Sequence, residues 1–380
     1  MALVYLDSAA TSLWRPVSVA EAVSRSLMLH AGYGRNQSSS ADAAAGEIYS
    51  CRCAAAEMFN VGDPADVVFC MNATHALNTA IFGLCVPGRP CVISGYEHNA
   101  VVRPLCELER RGATEVFAAE SALFDREDAV RSFERMTAEK KPGLVVCTMV
   151  GNVFGNVMPV EEIGRICRKY GARFVVDASQ AAGIIPVDAE ACLADAVCMP
   201  GHKGLMGPTG TGLLLLGKNR PEPFMFGGTG TASEETGQPE TAPERYESGT
   251  LNVCGICGLG AAIKYVREKG GRLHERKKAL CEIFASRLER EGFRIFVPGD
   301  GFEAGLFSFD AGFDSETAAG MLASRGIAVR GGLHCAPAAH RSAGTLERGT
   351  VRISPHPDIG KRTAVRAAET IARTLSAARG

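Results

Sequence analysis

The chain lacks an excess of charge of either sign: 41 Lys and Arg stand against 42 Asp and Glu in 380 residues, a formal net charge of −1. Such a balance offers no field to gather a polyanion, so neither nucleic acid nor an anionic membrane surface is an expected partner. Long apolar runs are also missing. The leucines of "TGTGLLLLGKNR" fall far short of the roughly 18 apolar residues that cross a bilayer. The opening "MALVYLDSAATSLWRP" has no basic stretch and carries Asp7 early, which argues against a secretory signal. The 14 cysteines are therefore expected as reduced thiols in a cytoplasm, not as a disulfide frame. Metal spacing is absent. Cys254 and Cys257 form a C-x-x-C, but no second pair and no H-x-x-x-H follows, so no metal is expected. Walker A, G-x-G-x-x-G after the first strand, and G-x-S-x-G are all missing, and the glycines of "GPTGTG" are wrongly spaced for a dinucleotide loop.

What is present reads as an enzyme-sized globular chain, 46% hydrophobic and 22% charged. From about residue 65, short apolar runs alternate with amphipathic stretches: "DVVFC", "THALNTAIFGL", "CVISG", "AVVRPLCELERRG", "TEVFA", 126–139, "LVVCTMV", "VEEIGRICRKYG", "RFVVD". Continuous apolar strands separated by helices imply a mostly parallel sheet covered on both faces, with right-handed crossovers. "DAVCM" and "TGLLLL" add two strands without a full helix between them, and a seven-stranded sheet is expected. Beyond about 255 the texture changes to long helical patterns with a few strands, a smaller α+β unit. The expected division is a large domain over 15–254 and a small one built from 255–380 with the segment 1–14. The Gly/Thr/Glu-rich stretch 227–244 reads as a loop.

Open parallel sheets bind ligands outside the carboxyl ends of their strands. Ala73 and Thr74 follow "DVVFC" at a helix start, where free amides and a hydroxyl suit a phosphate; the plain alternative is that Thr74 is an N-cap. His98 follows "CVISG", Asn152 follows "LVVCTMV", and Asp177 ends "RFVVD" with Gln180 on the turn. A carboxylate at that depth needs a positive partner. Lys203 sits on a glycine-flanked loop after "DAVCM", beside His202. A phosphate-binding helix start, an imidazole, an Asp and a Lys on one sheet edge are the set required by pyridoxal 5′-phosphate. The lysine condenses with its aldehyde, the aspartate keeps its pyridine nitrogen protonated, and the imidazole stacks on its ring.

In order along the chain, "YLDSAATS", "NATHALN", "EHNAVVRP", "VVDASQAAGIIPVD", "GHKGLMGPTGTG", "ERYESGTLNVCGI" and "RGGLHCAP" resemble the cysteine desulfurases and selenocysteine lyases of the class V, fold type I, pyridoxal phosphate enzymes. The resemblance covers essentially the whole chain and implies roles. Lys203 would bind the cofactor aldehyde, Asp177 its ring nitrogen and Gln180 its ring hydroxyl. His98 would stack on the ring and serve in proton transfer. Ala73, Thr74 and His202 would hold the phosphate. Thr250 would reach the phosphate of the other subunit, which implies a homodimer. Asn152 would lie near the ring hydroxyl and the substrate carboxylate, and Arg352 would bind that carboxylate, with Arg35 nearby. Cys335, which by itself reads as one more small buried residue, would take the sulfur of L-cysteine as a persulfide for a sulfur-acceptor protein. The alternatives are a lyase acting on L-selenocysteine, and a transaminase or cystine lyase that does not use Cys335. A poorly active sulfur-delivery scaffold is a further rival from outside the enzymes. Two positions depart from many relatives: Pro200 stands where a hydroxyl residue precedes "GHK", and "GYGRNQSSS" lacks a histidine shortly after Arg35.

Overall fold

The computed structural model describes residues 3–30, 33, 38–230, 234, 236–299 and 301–379. Seven strands form its main sheet: β2 (Val67–Cys70), β3 (Cys91–Ser94), β4 (Val116–Ala119), β5 (Leu144–Thr148), β6 (Arg173–Asp177), β7 (Ala196–Pro200) and β8 (Gly212–Leu216). Their order is β2-β8-β7-β6-β5-β3-β4, and β8 alone runs antiparallel to its neighbours. The expected mostly parallel seven-stranded sheet is the one observed.

Side chains of successive strand residues leave on opposite faces, and here both faces are covered. Val145, Cys147 and Val176 join one core cluster, whereas Val146, Val175 and Cys198 join the other. The covering helices include α3 (Ala73–Leu84), α4 (Asn99–Arg110), α5 (Arg126–Lys140) and α6 (Val160–Tyr170). Helix α6 buries Val160, Ile163, Ile166 and Cys167 along one stripe and ends at Gly171, whose φ of +67° is the left-handed stop that glycine adopts without strain. Ahead of the sheet run β1 (Val4–Tyr5), α1 (Val17–Leu29) and α2 (Ser39–Met58).

Helix α7 (Val253–Arg290) joins the two cores. At 1.5 Å per residue its 38 residues span about 57 Å. Its first turns are rich in glycine because neighbours press on them: a Cβ at Gly258 would lie 2.6 Å from Val23. Its last turns bury Leu280, Phe284 and Leu288 with Leu6, Phe307, Phe309, Ile353 and Ile371 in a second, smaller core. That core holds the antiparallel sheet of β9 (Arg294–Phe296), β10 (Phe307–Asp310) and β12 (Val351–Ile353), and the helices α8 (Ser315–Ala323) and α10 (Lys361–Arg379). Strand β11 (Ile327–Ala328) pairs in parallel with β1, so the N-terminal segment packs with the second half of the chain. The elements not read from the sequence include β12, three residues around an arginine, and the short helix α9 (Pro337–Ala343) that follows Cys335. Among the described residues, no helix is long and apolar enough to cross a membrane.

Candidate active site

The carboxyl ends of β2, β3, β5, β6 and β7 converge on one cleft. It is lined by Ala73, Thr74, His98, Asn152, Asp177, Gln180, His202 and Lys203, with about 500 Å³ of space, part of it open to solvent. Eight of the residues singled out in the sequence therefore meet. The reason is topological: each follows a strand on the same side of a parallel sheet, and β6, which ends in Asp177, is its central strand.

At the β2 end, the cap of α3 is Asn72, whose Oδ1 accepts from the His75 N–H at 2.9 Å. Thr74 is not the cap. Its hydroxyl is exposed beside the first amides of the helix, the donors that an anion would need. Asp177 is buried, and its Oδ1 accepts from the Ser179 N–H at 2.9 Å. It is the one acid lining the cleft among the described residues. Glu97, fully buried behind it, accepts from Ser94 Oγ at 2.5 Å and from the Thr148 N–H at 2.8 Å. Burial pushes its carboxyl up to about 8, so it is neutral at neutral pH.

Burial also lowers Lys203, to about 8, against the pull of the nearby Asp177 charge. The amine is the species that attacks an aldehyde. Uptake of pyridoxal phosphate by the apoenzyme should therefore quicken as pH rises to about 8 and level off above it. An unperturbed lysine would keep rising to beyond pH 10, and the growth rate of cofactor absorbance distinguishes the two. The N-terminal segment fixes the lysine loop. Ser12 donates through Oγ to the Lys203 carbonyl (2.8 Å) and through N–H to the His202 carbonyl (2.9 Å). His202 Nδ1 lies 3.1 Å from Thr11 Oγ1, and burial holds its ring down to about 4, hence neutral. A Cβ on Gly204 would run into the Ala182 carbonyl oxygen, so this loop closes only over glycine. Gly204→Ala should displace Lys203 and weaken cofactor binding about tenfold or more, measured by the cofactor retained on dialysis.

His98 caps α4, with Nδ1 accepting from the Ala100 N–H at 3.0 Å, so the neutral ring carries its proton on Nε2. Burial, opposed by Asp177, lowers its pKa. The same helix start holds the loop of Cys335: the Asn99 N–H donates to the Cys335 carbonyl at 2.7 Å. Asn152 Nδ2 donates to the His334 carbonyl at 2.7 Å. These bonds hold two successive non-glycine residues in the left-handed region, His334 at φ +51° and Cys335 at φ +59°. Each such residue costs about 1–3 kcal/mol and persists where its surroundings fix it. The outcome is a half-buried thiol on an ordered loop. His334 does not serve it. That ring is buried and its Nε2 lies 3.0 Å from the Thr350 carbonyl. The group beside the sulfur is Arg330, with Nη2 3.6 Å from Sγ.

Arg352 is not a surface residue. It is 1% exposed, with Nη1 donating to the Asn152 carbonyl (2.8 Å) and Nη2 to Asp7 Oδ1 (2.7 Å). Its Nε has no partner. A fully buried guanidinium with an unused donor is arranged to receive an anion. Sequence reasoning missed Arg330, Asp7 and Ser12, although all three lie inside the stretches "RGGLHCAP" and "YLDSAATS". Thr250, exposed on the loop before α7, does not line this cleft. Arg35 lies outside the described residues.

The set fits pyridoxal phosphate. A half-buried lysine held partly as free amine shares the cleft with a buried carboxylate. At one end of the cleft are free helix amides and a hydroxyl, and a neutral imidazole stands at its side. The family profile described as Aminotransferase class-V matches residues 4–359. A probable cysteine desulfurase from Methanothermobacter thermautotrophicus is 35% identical over 93% of this chain and 90% of its own length. One from Streptomyces coelicolor is 34% identical over 88% and 83%. Among solved structures, the apo cysteine desulfurase from Thermococcus onnurineus superposes with a TM-score of 0.89 at 28% identity, covering 99% of this chain and 95% of that one. The cysteine desulfurase CsdA from Escherichia coli does so with 0.86 at 27%, covering 98% and 94%.

Proposed function

The chain belongs to the class-V aminotransferase family, and from its site we propose that it is a pyridoxal phosphate-dependent cysteine desulfurase that converts L-cysteine to L-alanine and holds the sulfur on Cys335. The observation that carries this reading is the loop of Cys335. A transaminase has no use for a thiol there, yet the loop is bonded to α4 and Asn152 at two carbonyls in a left-handed turn.

Lys203, Asp177, His98 and the start of α3 would hold the cofactor. Bound there, it supplies an aldehyde that condenses with amines and a ring that accepts the electron pair of a broken Cα bond. Asp177 would provide the countercharge to a protonated ring nitrogen, and Gln180, whose Nε2 donates to the Ala9 carbonyl at 2.9 Å, would hydrogen-bond the ring hydroxyl. Arg352 binds the substrate carboxylate through its unused edge, with Asp7 and Asn152 fixing its plane. Lysine in place of Arg352 would keep the charge and lose the fork. Arg352→Lys should raise the KM for L-cysteine about tenfold or more with a smaller loss of kcat, read from initial rates.

With the cofactor holding the substrate, the Lys203 amine would take the Cα proton and return it elsewhere. The Cys335 thiolate then attacks the substrate sulfur. An S–S bond forms, the C–S bond breaks with its electron pair left on the substrate carbon, and protonation of that carbon gives the methyl group of alanine. Arg330, beside Sγ, places a cation against the sulfur.

The family's dimeric logic makes Thr250, exposed on its loop, a phosphate contact for the other subunit of a homodimer. Residues 15–254 serve as the cofactor domain, with 1–14 and 255–380 as the smaller one. A cytoplasmic enzyme with a sulfur-acceptor protein completes this reading. With L-cysteine and a thiol reductant, the holoenzyme should release alanine and sulfide in equal amounts. Pyruvate with ammonia, or transfer of the amino group to a keto acid, would replace this reading with a lyase or a transaminase.

A further inference from the structure

The loop that carries Cys335 is tied down at three main-chain positions. The Gly332 N–H donates to Ser315 Oγ at 2.9 Å, and the carbonyls of His334 and Cys335 are taken by Asn152 and Asn99. The loop also meets the segment of Arg352 through main chain, at Arg330 (2.8 Å) and at Gly332 and Thr350 (3.3 Å). Beyond Gly332, whose φ is +96°, the hold on that segment among the described residues is a side chain, the ring of His334.

His334 is 2% exposed, and its Nε2 lies 3.0 Å from the Thr350 carbonyl. A carbonyl can only accept, so Nε2 carries the ring proton. Burial first, and then the charge of Arg352, lower the pKa of the ring, so it stays neutral and keeps that single donor. Thr350 is buried and directly precedes β12, two residues ahead of Arg352. The His334 ring stacks on that of His340, with centroids 5.8 Å apart and planes at 22°. His340 is held in turn by Thr345 Oγ1, 2.8 Å from its Nδ1, and lies against the Phe154 ring. The remaining nitrogen, His334 Nδ1, is buried without a partner. Leucine or phenylalanine would occupy this space without stranding a polar atom. What histidine adds there is the bond to Thr350.

That bond joins two parts of the reaction. The substrate carboxylate belongs on Arg352, and Cys335 must meet the sulfur of the same small molecule. The distance between the two is therefore critical, since a misplacement of about 1 Å can cost on the order of 10²-fold in rate. The loop is also in a conformation that it would leave if released, with His334 and Cys335 both left-handed. We propose that His334 is a positioning residue of the sulfur-transfer step: through Thr350 it references the Cys335 loop to the strand of Arg352, and it does so without lining the cleft or bonding the sulfur. The proposal rests on the desulfurase reading.

The test compares three pyridoxal phosphate-loaded proteins: the wild type, His334→Phe, which fills the space but donates nothing, and His334→Gln, which keeps an N–H donor. Persulfide formation on Cys335, read by rapid-quench mass spectrometry with L-cysteine, should slow about tenfold or more in His334→Phe. The KM for L-cysteine should stay within about twofold, because Arg352 is untouched. Exchange of the Cα proton of L-alanine for solvent deuterium, which needs Lys203 but no thiol, should also stay within about twofold. His334→Gln should recover persulfide formation to within about threefold of the wild type. A His334→Phe enzyme as fast as the wild type would overturn the proposal. So would a parallel loss of alanine exchange, which means a general disturbance of the fold, or a His334→Gln enzyme no better than His334→Phe. A wild type that forms no persulfide would instead sink the desulfurase reading, and the proposal with it. Should His334→Phe fail to fold, His334→Asn, too short to reach Thr350, takes its place with the same expectations.

Discussion

Cys335→Ala enzyme should retain its bound cofactor and its absorbance spectrum, yet lose release of alanine and sulfide from L-cysteine by about 10³-fold or more. The thiol lines no part of the cofactor's own contact set. Its loop is held by Asn99 and Asn152 through main-chain carbonyls, and these bonds survive replacement of the side chain. Binding of L-cysteine, seen as a spectral change, should therefore persist while the sulfur stays on the substrate. Mass spectrometry should find one added sulfur on the wild type after a single turnover without reductant, and none on the variant. Unchanged turnover in the variant would make Cys335 a bystander and return the lyase and transaminase readings.

Lys203→Ala should have the largest effect of any single change, at least about 10⁴-fold on turnover. Two functions disappear together. The cofactor loses its covalent attachment, and the Cα proton loses its acceptor. Lys203 stands half-buried in the cleft it shares with Asp177, and desolvation there lowers its pKa to about 8. A substantial share of free amine at working pH is what both functions need. The variant should still bind the cofactor through Asp177, His98 and the start of α3, so dialysis should remove it more readily but not instantly. Added methylamine should restore part of the proton transfer without restoring the attachment. A variant within tenfold of the wild type would place the base elsewhere.

The sequence by itself determined the main sheet and its chemistry. Apolar runs such as "LVVCTMV" and "RFVVD" must be buried on both faces, and the helices between them force parallel crossovers. Once that is granted, every residue just past a strand end lies on one edge. Lys203, Asp177, His98, Asn152, Thr74 and His202 were therefore legible together, although each is weak evidence by itself.

Tertiary structure alone decided what surrounds them. By sequence, a surface position was the plain alternative for Arg352. Its burial arises because a three-residue strand, too short to show periodicity, pairs with β10 and sets it against Asp7, 345 residues away in sequence. His334 adjoins Cys335 in sequence but turns into the core toward Thr350, whereas Arg330, five residues earlier, reaches the sulfur because the left-handed turn at 334–335 folds the loop back. Thr74 could be a cap until Asn72 was seen to take that place. The burial of Lys277 has no sequence signal at all: on a helix full of lysines and arginines, burial of one of them depends on how the N-terminal segment and the loops at 304–306 and 356–357 pack around it. Local pattern fixes which face of an element is apolar. Which polar group ends beside which is set by contacts hundreds of residues apart, and those exist only once both cores have packed.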